Sequence, residues 1–271
     1  MNRVELYQKI ELQPEIIQKL NALDKEIKIS EIAPYLNRLM DIKTAHSACE
    51  QLEEYFQDDT DQLHLLFCEL ECARRLYDRY QEKEIPESVF LATMKCFSRF
   101  IDECENKNGR KYFDRAWWAY RHISMELFGI GDLEYQFSEY DGERTVAIHI
   151  PSDAIFSIDA VEASIHQANL FFQTYYPEYQ YTKYTCDSWL LSPVLNQLLP
   201  ASSNIAAFQR RFEIVNVDKE DCKYISWLFQ KPLDTVPEQL PEHTSLQRKV
   251  KKLLLAGESV GSAFGVMNVS T

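Results

Sequence analysis

The stretch that decides the fold reads TVAIHIPSD and spans residues 145–153. From Val146 to Ile150 every second residue is a branched aliphatic, which predicts a strand with one apolar face. An amphipathic helix is predicted from about 157 to 176, and an extended run rich in Tyr and Thr follows at 179–191. A strand, a helix and a second strand within this distance predict a crossover between two parallel, neighbouring strands.

The sequence on the two sides of Gly131 differs in its periodicity. Before it, apolar residues recur every three or four positions, so we predict helices throughout, including one at 86–104 and one at 113–127. After it, the predicted order is β–β–α–β–α–β–α–β. We therefore predict a two-domain α+β or α/β protein, with an all-helical N-terminal domain at 1–130 and a mixed-sheet domain at 131–271.

The composition argues against several classes of protein. The 271 residues carry a formal net charge of −13, spread over both halves, whereas nucleic-acid binding needs a concentrated basic face. No run of about eighteen apolar residues occurs, so no membrane span is predicted. Residues 1–11 lack the apolar core of a secretory signal. We therefore expect a protein that binds neither nucleic acid nor membranes.

Cysteine and glycine usage narrow the chemistry further. Seven cysteines are scattered without a disulfide framework and without the paired spacing of a zinc site. We predict free thiols, a cytoplasmic location and no metal ion. Seven glycines leave neither a P-loop nor a complete dinucleotide-binding motif.

The carboxyl ends of the two predicted parallel strands carry the candidate catalytic residues. At such strand ends, backbone amides of helix N-termini bind anions. His149 ends the first strand opposite the aliphatic face, where an imidazole accepts a proton near neutral pH; the alternative is a half-buried histidine bonded to a neighbouring strand. Cys186 is a candidate nucleophile with His149 as its base, or an inert packing residue. Ser188 is a candidate reactive hydroxyl, or one that satisfies a backbone amide.

Candidate anion-binding residues lie further along the chain. Asn204 follows two serines in a strong helix N-cap pattern, and Gln209, Arg210 and Arg211 are predicted to lie on the helix that begins there. Their side chains are candidates to face a polyanion, or to form a solvated surface with an ion pair. Arg248 opens the basic run 248–252 in an acidic chain, so it is a candidate phosphate contact or part of an ordinary exposed face.

Five short segments together resemble one bacterial family of acyltransferases, and the resemblance covers essentially the whole chain. The segments are HIPSD (149–153), CDSWLL (186–191), SNI (203–205), FQRRF (208–212) and TSLQR (244–248). Members of that family pair a helical N-terminal domain with a C-terminal domain of the GNAT type. The order strand, helix, strand, helix, strand is also that of the GNAT core.

The resemblance implies a site and a reaction. In GNAT enzymes an acyl-CoA lies between two parallel strands that splay apart, and an amine attacks the thioester directly. Here the splayed pair is implied at 145–150 and 181–188, with acetyl-CoA or another acyl-CoA as the co-substrate and an amine as the acceptor. His149 is implied as the group that deprotonates the amine. The residues that we expect to hold the acyl-CoA are Ile150, Ser152, Asp153, Ser157, Asn204, Gln209, Arg210 and Arg248.

Two departures from the GNAT pattern support a competing prediction. The interval from Ile150 to Asp159, where the pyrophosphate loop belongs, contains no glycine. No tyrosine between Tyr184 and Tyr224 replaces the one that commonly protonates the leaving thiolate, which leaves Ser188 and Cys186 as candidate substitutes. The alternative is a non-catalytic binding or assembly module that kept the fold and lost acyl-CoA binding.

Overall fold

The computed structural model describes residues 1–269 and divides the chain into two compact units, Met1–Ile130 and Gly131–Thr271. Helices make up the first unit, which ends in a short strand. Its elements are α1 (Arg3–Lys9), α2 (Pro14–Glu26), α3 (Ile29–Leu39), α4 (Ala45–Tyr55), α5 (Leu63–Glu82), α6 (Glu87–Met94), α7 (Cys96–Asn108), α8 (Ala116–Ile123) and β1 (Leu127–Ile130).

The core of the first unit forms around α5. This helix is buried along most of its length and contacts α1, α2, α3, α6 and α8. Burial of the apolar faces of these helices against one central helix supplies most of the stability of such a domain.

Two predicted helices are interrupted in the structure. The helix expected at 86–104 is divided into α6 and α7, and the helix expected at 113–127 ends early and is followed by β1. Both changes lie near the contact of β1 with α6. A Cβ on Gly129 would lie 2.8 Å from the α6 backbone, and its amide donates to Thr93 Oγ1 at 2.9 Å. Met125, with φ 58°, turns the chain out of α8. Local periodicity does not register a contact between segments so far apart in sequence.

The second unit contains a mixed sheet with helices. Its elements are β2 (Leu133–Tyr140), β3 (Glu143–His149), α9 (Ile158–Tyr175), β4 (Lys183–Ser188), α10 (Leu195–Leu198), α11 (Asn204–Gln209), β5 (Glu213–Asp218), α12 (Tyr224–Phe229), α13 (Ser245–Leu255) and β6 (Ser262–Asn268), with single 3-10 turns at Trp189–Leu191 and Pro237–Gln239.

Five strands of this unit follow the order β2-β3-β4-β6-β5. β3 and β4 are parallel, as the crossover predicts, and the other neighbouring pairs are antiparallel. A helical first half followed by a mixed sheet with helices confirms the predicted fold class. α12 has no counterpart in the prediction, because its six residues are too few to show a helical period.

α9 covers one face of this sheet and thereby decides which strand residues are internal. Its Ser164 Oγ lies 2.9 Å from the hydroxyl of Tyr135 on β2, and its Asn169 Oδ1 accepts a 2.6 Å hydrogen bond from Tyr184 on β4. Gly131 adopts φ +62°, and a Cβ there would lie 2.9 Å from Ser164 Cβ. Close packing therefore joins the start of β2 to the helix. Across residues 1–269, no helix has both the length and the apolar character needed to cross a bilayer.

Candidate functional site

β3 and β4 pair over only the first part of their shared length. Their parallel ladder joins Val146 to Tyr184 and Ala147 to Thr185. Beyond these pairs, β3 stays paired with β2 as far as His149, and β4 stays paired with β6 as far as Ser188. Each strand therefore follows its outer neighbour, and the two part from each other at their carboxyl ends. We call this opening the slot; its walls are residues 148–149 of β3 and 186–188 of β4.

The register decides which side chains share a face of the slot. Val146 and Tyr184 are paired and both are buried on the side covered by α9. Because strand side chains alternate, Cys186 lies on that same α9 side. His149 and Asp187 lie together on the opposite face. The sheet backbone therefore separates the imidazole of His149 from the thiol of Cys186.

His149 ends β3 with its ring held by a neighbouring strand. Its Nε2 lies 2.8 Å from Oε1 of Gln136 on β2, and it is directly opposite Glu134 in the β2–β3 ladder. An amide oxygen only accepts, so the ring donates from Nε2 and its basic lone pair resides on Nδ1. The ring is partly exposed at the slot. A partly exposed imidazole with a fixed tautomer has the properties that a general base requires.

Cys186 is placed unfavourably for the nucleophile role that the sequence suggests. The residue is 1% exposed, and burial followed by the nearby charge of Asp187 raises the pKa of its thiol. A buried thiol with a raised pKa is a poor source of thiolate. Together with its position across the sheet from His149, this burial favours the packing interpretation over a Cys–His pair.

Ser188 lies at the far end of β4 and is partly exposed. Its Oγ accepts a 3.2 Å hydrogen bond from the backbone amide of Leu190 and so caps the 3-10 turn that follows. The hydroxyl proton is not used by this bond, which leaves Ser188 able to donate on the α9 side of the slot.

The segment 150–157 leads from the slot to the start of α9. Ser157 caps the helix, and its Oγ accepts from the amide of Ala160 at 3.2 Å. Phe156 contacts the buried ring of Phe208 on α11, with ring centroids 5.0 Å apart. All of residues 150–157 have negative φ, so this turn needs no glycine. Its backbone can therefore approach an anion without the glycine-rich sequence.

The predicted binding residues of this segment differ in exposure. Ile150 is partly buried beside the slot, whereas Ser152 and Asp153 are exposed in the turn that follows Pro151. Asp153 is the one charged residue of segment 150–157, and Asp159 follows in the first turn of α9. An anion bound here would interact with backbone amides and the dipole of α9 rather than with a local cation.

α11 places the predicted residues Asn204, Gln209 and Arg210 in three different settings. Asn204 is the exposed first residue of the helix. Gln209 is buried, and its Nε2 donates to the carbonyls of Leu190 and Ser192 at 2.8 and 2.9 Å, which joins α11 to the 3-10 turn after β4. Arg210, the residue after α11, donates to the carbonyl of Ala201 in the turn before the helix at 2.9 Å. These contacts favour structural roles for Gln209 and Arg210.

Arg211, in the turn that follows α11, is the basic residue that contacts α9. Its Nη2 lies 2.6 Å from Oε1 of Glu162, in the second turn of α9. The sequence makes it a candidate, with Gln209 and Arg210, to face a polyanion, and it stands in the same FQRRF segment as Arg210. The spacing alone does not reveal which of two adjacent arginines turns towards the neighbouring helix.

Arg248 stabilises the start of α13. Its Nη1 donates to the carbonyls of Glu242 and His243, and the nearby Lys251 donates to the carbonyl of Leu240. The phosphate contact expected of Arg248 stays a prediction. Among residues 1–269, no group of three or more His, Cys, Asp or Glu side chains is arranged to hold a metal ion.

Comparisons with known proteins agree with this architecture. Residues 1–125 match the family described as N-acyltransferase N-terminal domain, and residues 127–267 match the family described as GNAT-like C-terminal domain. A solved acyltransferase mutant in complex with octanoyl-CoA has 18% sequence identity and a TM-score of 0.79, covering 98% of this chain and 87% of that chain. An acyltransferase in complex with decanoyl-CoA and teicoplanin has 19% identity and a TM-score of 0.72, covering 100% of each chain. At such low sequence identity, the structural similarity to these two proteins shows a shared fold and nothing more. None of the curated proteins matches this sequence.

Proposed function

Because this chain belongs to the family that joins an N-acyltransferase N-terminal domain to a GNAT-like C-terminal domain, we propose that it transfers an acyl group from acyl-CoA to an amine. The acyl-CoA is the co-substrate, and the acceptor is a small molecule that carries the amine. Solved relatives with the same fold bind octanoyl-CoA, decanoyl-CoA and, in one complex, teicoplanin.

The observation that carries the proposal is the slot between β3 and β4. Beyond the pairs of Val146 and Ala147, the facing strand edges are not joined by ladder bonds. Such edges present N–H and C=O groups at the spacing of a strand. A pantetheine arm is narrow and contains amides, so it fits between two edges of this kind in the way that an added strand does.

We assign the deprotonation of the amine to His149. The ring ends β3 at the slot, and its hydrogen bond to Gln136 fixes it in the tautomer with a basic Nδ1. A protonated amine is not a nucleophile, so a base at this position generates the reactive form beside the thioester.

We assign the diphosphate of the acyl-CoA to the segment 150–157, which follows β3. α9 is 18 residues long, and its N-terminus carries a partial positive charge next to the exposed Ser152 and the cap Ser157. Arg211 follows α11 and reaches the second turn of α9, and we assign it as the cation that contacts the diphosphate. Ile150 lies at the junction of slot and loop.

Protonation of the leaving thiolate is assigned to Ser188 rather than to Cys186. Ser188 is partly exposed at the end of the slot wall, and its hydroxyl proton is not used by the bond to Leu190. Cys186 is enclosed beneath α9.

We also propose a cytoplasmic location. All seven cysteines are free thiols and six of them are buried, so the fold uses cysteine as a small apolar residue and not as a cross-link. Reduced thiols of this kind are typical of a reducing compartment, which also supplies acyl-CoA.

The proposed function is tested by binding and turnover of acyl-CoA. Titration calorimetry with acetyl-, octanoyl- and decanoyl-CoA is expected to give saturable heat with at least one of them. Release of free CoA in the presence of primary amines then measures transfer. His149→Ala is expected to reduce turnover about 100-fold or more while the Kd for acyl-CoA changes little, because loss of a general base removes a rate factor of that order.

His166→Ala is the matched control, because His166 is exposed on α9 outside the slot. This variant is expected to retain full turnover. Absence of binding with all three thioesters contradicts the proposed function. Binding without any turnover favours the non-catalytic module, and unchanged turnover in His149→Ala contradicts the assigned base.

A further inference from the structure

Asp187 lies on the slot wall opposite His149. The last ladder pair of β3 and β4 is Ala147 with Thr185. Two residues further along, His149 and Asp187 project from the same face, one from each diverging strand. Asp187 stays in register with Phe264 on β6, so the backbone that carries it is fixed by the sheet and not by a loop.

Within residues 1–269, the carboxylate of Asp187 forms no ion pair. In the part of the chain that the structure describes, no hydrogen bond or ion pair involves this side chain, which is exposed at the slot. Burial of part of the group raises its pKa; Lys223 lowers it, and Asp221 and Asp218 raise it. Burial is the largest of these causes, so a cation that reached this carboxylate would pair with a partly desolvated charge.

The neighbouring charged groups are engaged elsewhere. Asp218 Oδ1 accepts from the amide of Glu220 at 3.0 Å, and Asp221 Oδ1 accepts from the amide of Lys223 at 2.8 Å. The Nζ of Lys223 lies 3.8 Å from Asp221 Oδ2. These bonds hold the turn between β5 and α12, and Asp187 is the carboxylate of this group that a strand carries into the slot.

We propose that Asp187 selects the acceptor: the acceptor is an aliphatic primary amine that enters the slot as its ammonium ion and pairs with the Asp187 carboxylate, across from His149. This inference rests on the proposed function and adds the substrate class and a specificity-determining residue. An aliphatic amine is almost fully protonated near neutral pH, so a site that binds it must first accommodate its charge.

The two side chains then have separate tasks in the transfer. Asp187 holds the ammonium group, and His149 removes one of its protons. The nitrogen lone pair forms the N–C bond to the thioester carbonyl, and the C–S bond breaks with its electron pair leaving on sulfur. Ser188 donates its hydroxyl proton to the thiolate and regains a proton from the nitrogen. The products are therefore an amide and CoA thiol, and the first proton is released from His149 to solvent.

The test compares acceptors that differ in charge, with octanoyl-CoA as the donor. Butylamine and ethylenediamine carry an ammonium group near pH 7, whereas aniline is neutral. In Asp187→Asn the KM for butylamine is expected to rise about tenfold, because the variant loses a partly desolvated charge pair with the ammonium group. Its kcat is expected to stay within about threefold of the wild-type value. The KM for aniline is expected to stay unchanged. Asp187→Glu keeps the charge and is expected to retain the preference.

Asp141→Asn is the matched control. Asp141 lies in the hairpin between β2 and β3, eight residues before His149 in sequence, which is roughly 26 Å along a strand. This variant is expected to behave as the wild type with every amine. If Asp187→Asn raises the KM for butylamine and the KM for aniline equally, the inference is overturned. It is also overturned if the wild-type protein binds octanoyl-CoA but acylates neither butylamine nor ethylenediamine. Failure to bind octanoyl-CoA overturns the proposed function instead.

Discussion

Two glutamates on α5 differ in charge state: Glu69 is neutral, whereas Glu71 is ionised. Glu69 is 2% exposed, and neither of its carboxyl oxygens has a hydrogen-bond partner among the described residues. Burial, followed by the charge of Glu53, raises the pKa of Glu69 well above its usual range. Glu69 is therefore a neutral acid inside the first unit over a wide range of pH.

This neutral acid makes stability depend on pH in a stated direction. The unfolded chain ionises at a pKa of about 4.3, whereas the folded chain resists ionisation. A raised folded pKa gives a stabilising contribution that is fully present below the unfolded pKa and decreases as the pH rises towards the folded pKa. The free energy of unfolding therefore loses about 1.4 kcal/mol per pH unit between the two values.

Glu69→Gln removes the titrating group and retains the shape. The second amide proton adds an unsatisfied donor, which shifts the stability by a pH-independent amount of about 1–3 kcal/mol. The diagnostic quantity is therefore the slope. Relative to the wild type, Glu69→Gln is expected to gain about 1.4 kcal/mol in the free energy of unfolding for each pH unit above about 4.3, until the folded pKa is reached.

Urea unfolding of the full chain at pH 5, 6 and 7, followed by far-ultraviolet circular dichroism, measures this slope. Glu82→Gln is the matched control, because Glu82 is the exposed last residue of the same helix. Its difference from the wild type is expected to be independent of pH. Equal pH dependence of Glu69→Gln and the wild type would refute the reasoning, because it would mean that Glu69 is ionised and stabilised in the folded state.

Glu71, Gly265 and Arg211 provide three further tests of the charges and packing of this fold. Burial alone would raise the pKa of Glu71, but hydrogen bonds from Arg74, Arg75 and Arg3 outweigh it and lower the pKa to about 2. Glu71→Gln is therefore expected to lower the free energy of unfolding by at most about 3 kcal/mol at pH 7. In urea unfolding, this difference from the wild type should disappear as the pH falls from about 4 towards 2. Gly265→Ala is expected to lower the free energy of unfolding by about 1–3 kcal/mol, because a Cβ there would lie 2.9 Å from Phe212 Cβ. An unchanged midpoint of urea unfolding would contradict this packing. Arg211→Ala is expected to raise the Kd for acyl-CoA about three- to tenfold by calorimetry, and Arg210→Ala less than about twofold; the reverse order would show that the wrong arginine has been assigned.

The sequence predicts the elements that hold the slot, because each of them has a strong local pattern. The alternation from Val146 to Ile150 predicts β3, and the helical period with Ser157 as cap predicts α9. The confirmed fold class follows from the order of such elements. The assignment of 113–127 to one helix is wrong, because the contact of β1 with α6 is not encoded in local periodicity.

The candidate site is predicted less completely than the fold. His149 is identified by its residue type and its position at a strand end, and its role stays a prediction. Its tautomer depends on Gln136, which is 13 residues away in sequence. Glu69 shows the same limitation, because the helical pattern places it beside the apolar stripe and gives no indication that neighbouring helices enclose it.

The amino-acid sequence by itself determined which segments become strands and helices in the second unit, because apolar periodicity and caps act over a few residues. Only the tertiary structure decided that β3 and β4 part after Ala147 and Thr185, because β2 and β6 hold the two strands along diverging paths. The same long-range register placed His149 and Asp187 on one face and Cys186 on the other. A side chain's partners across a sheet depend on pairings between distant segments, and no local pattern specifies them.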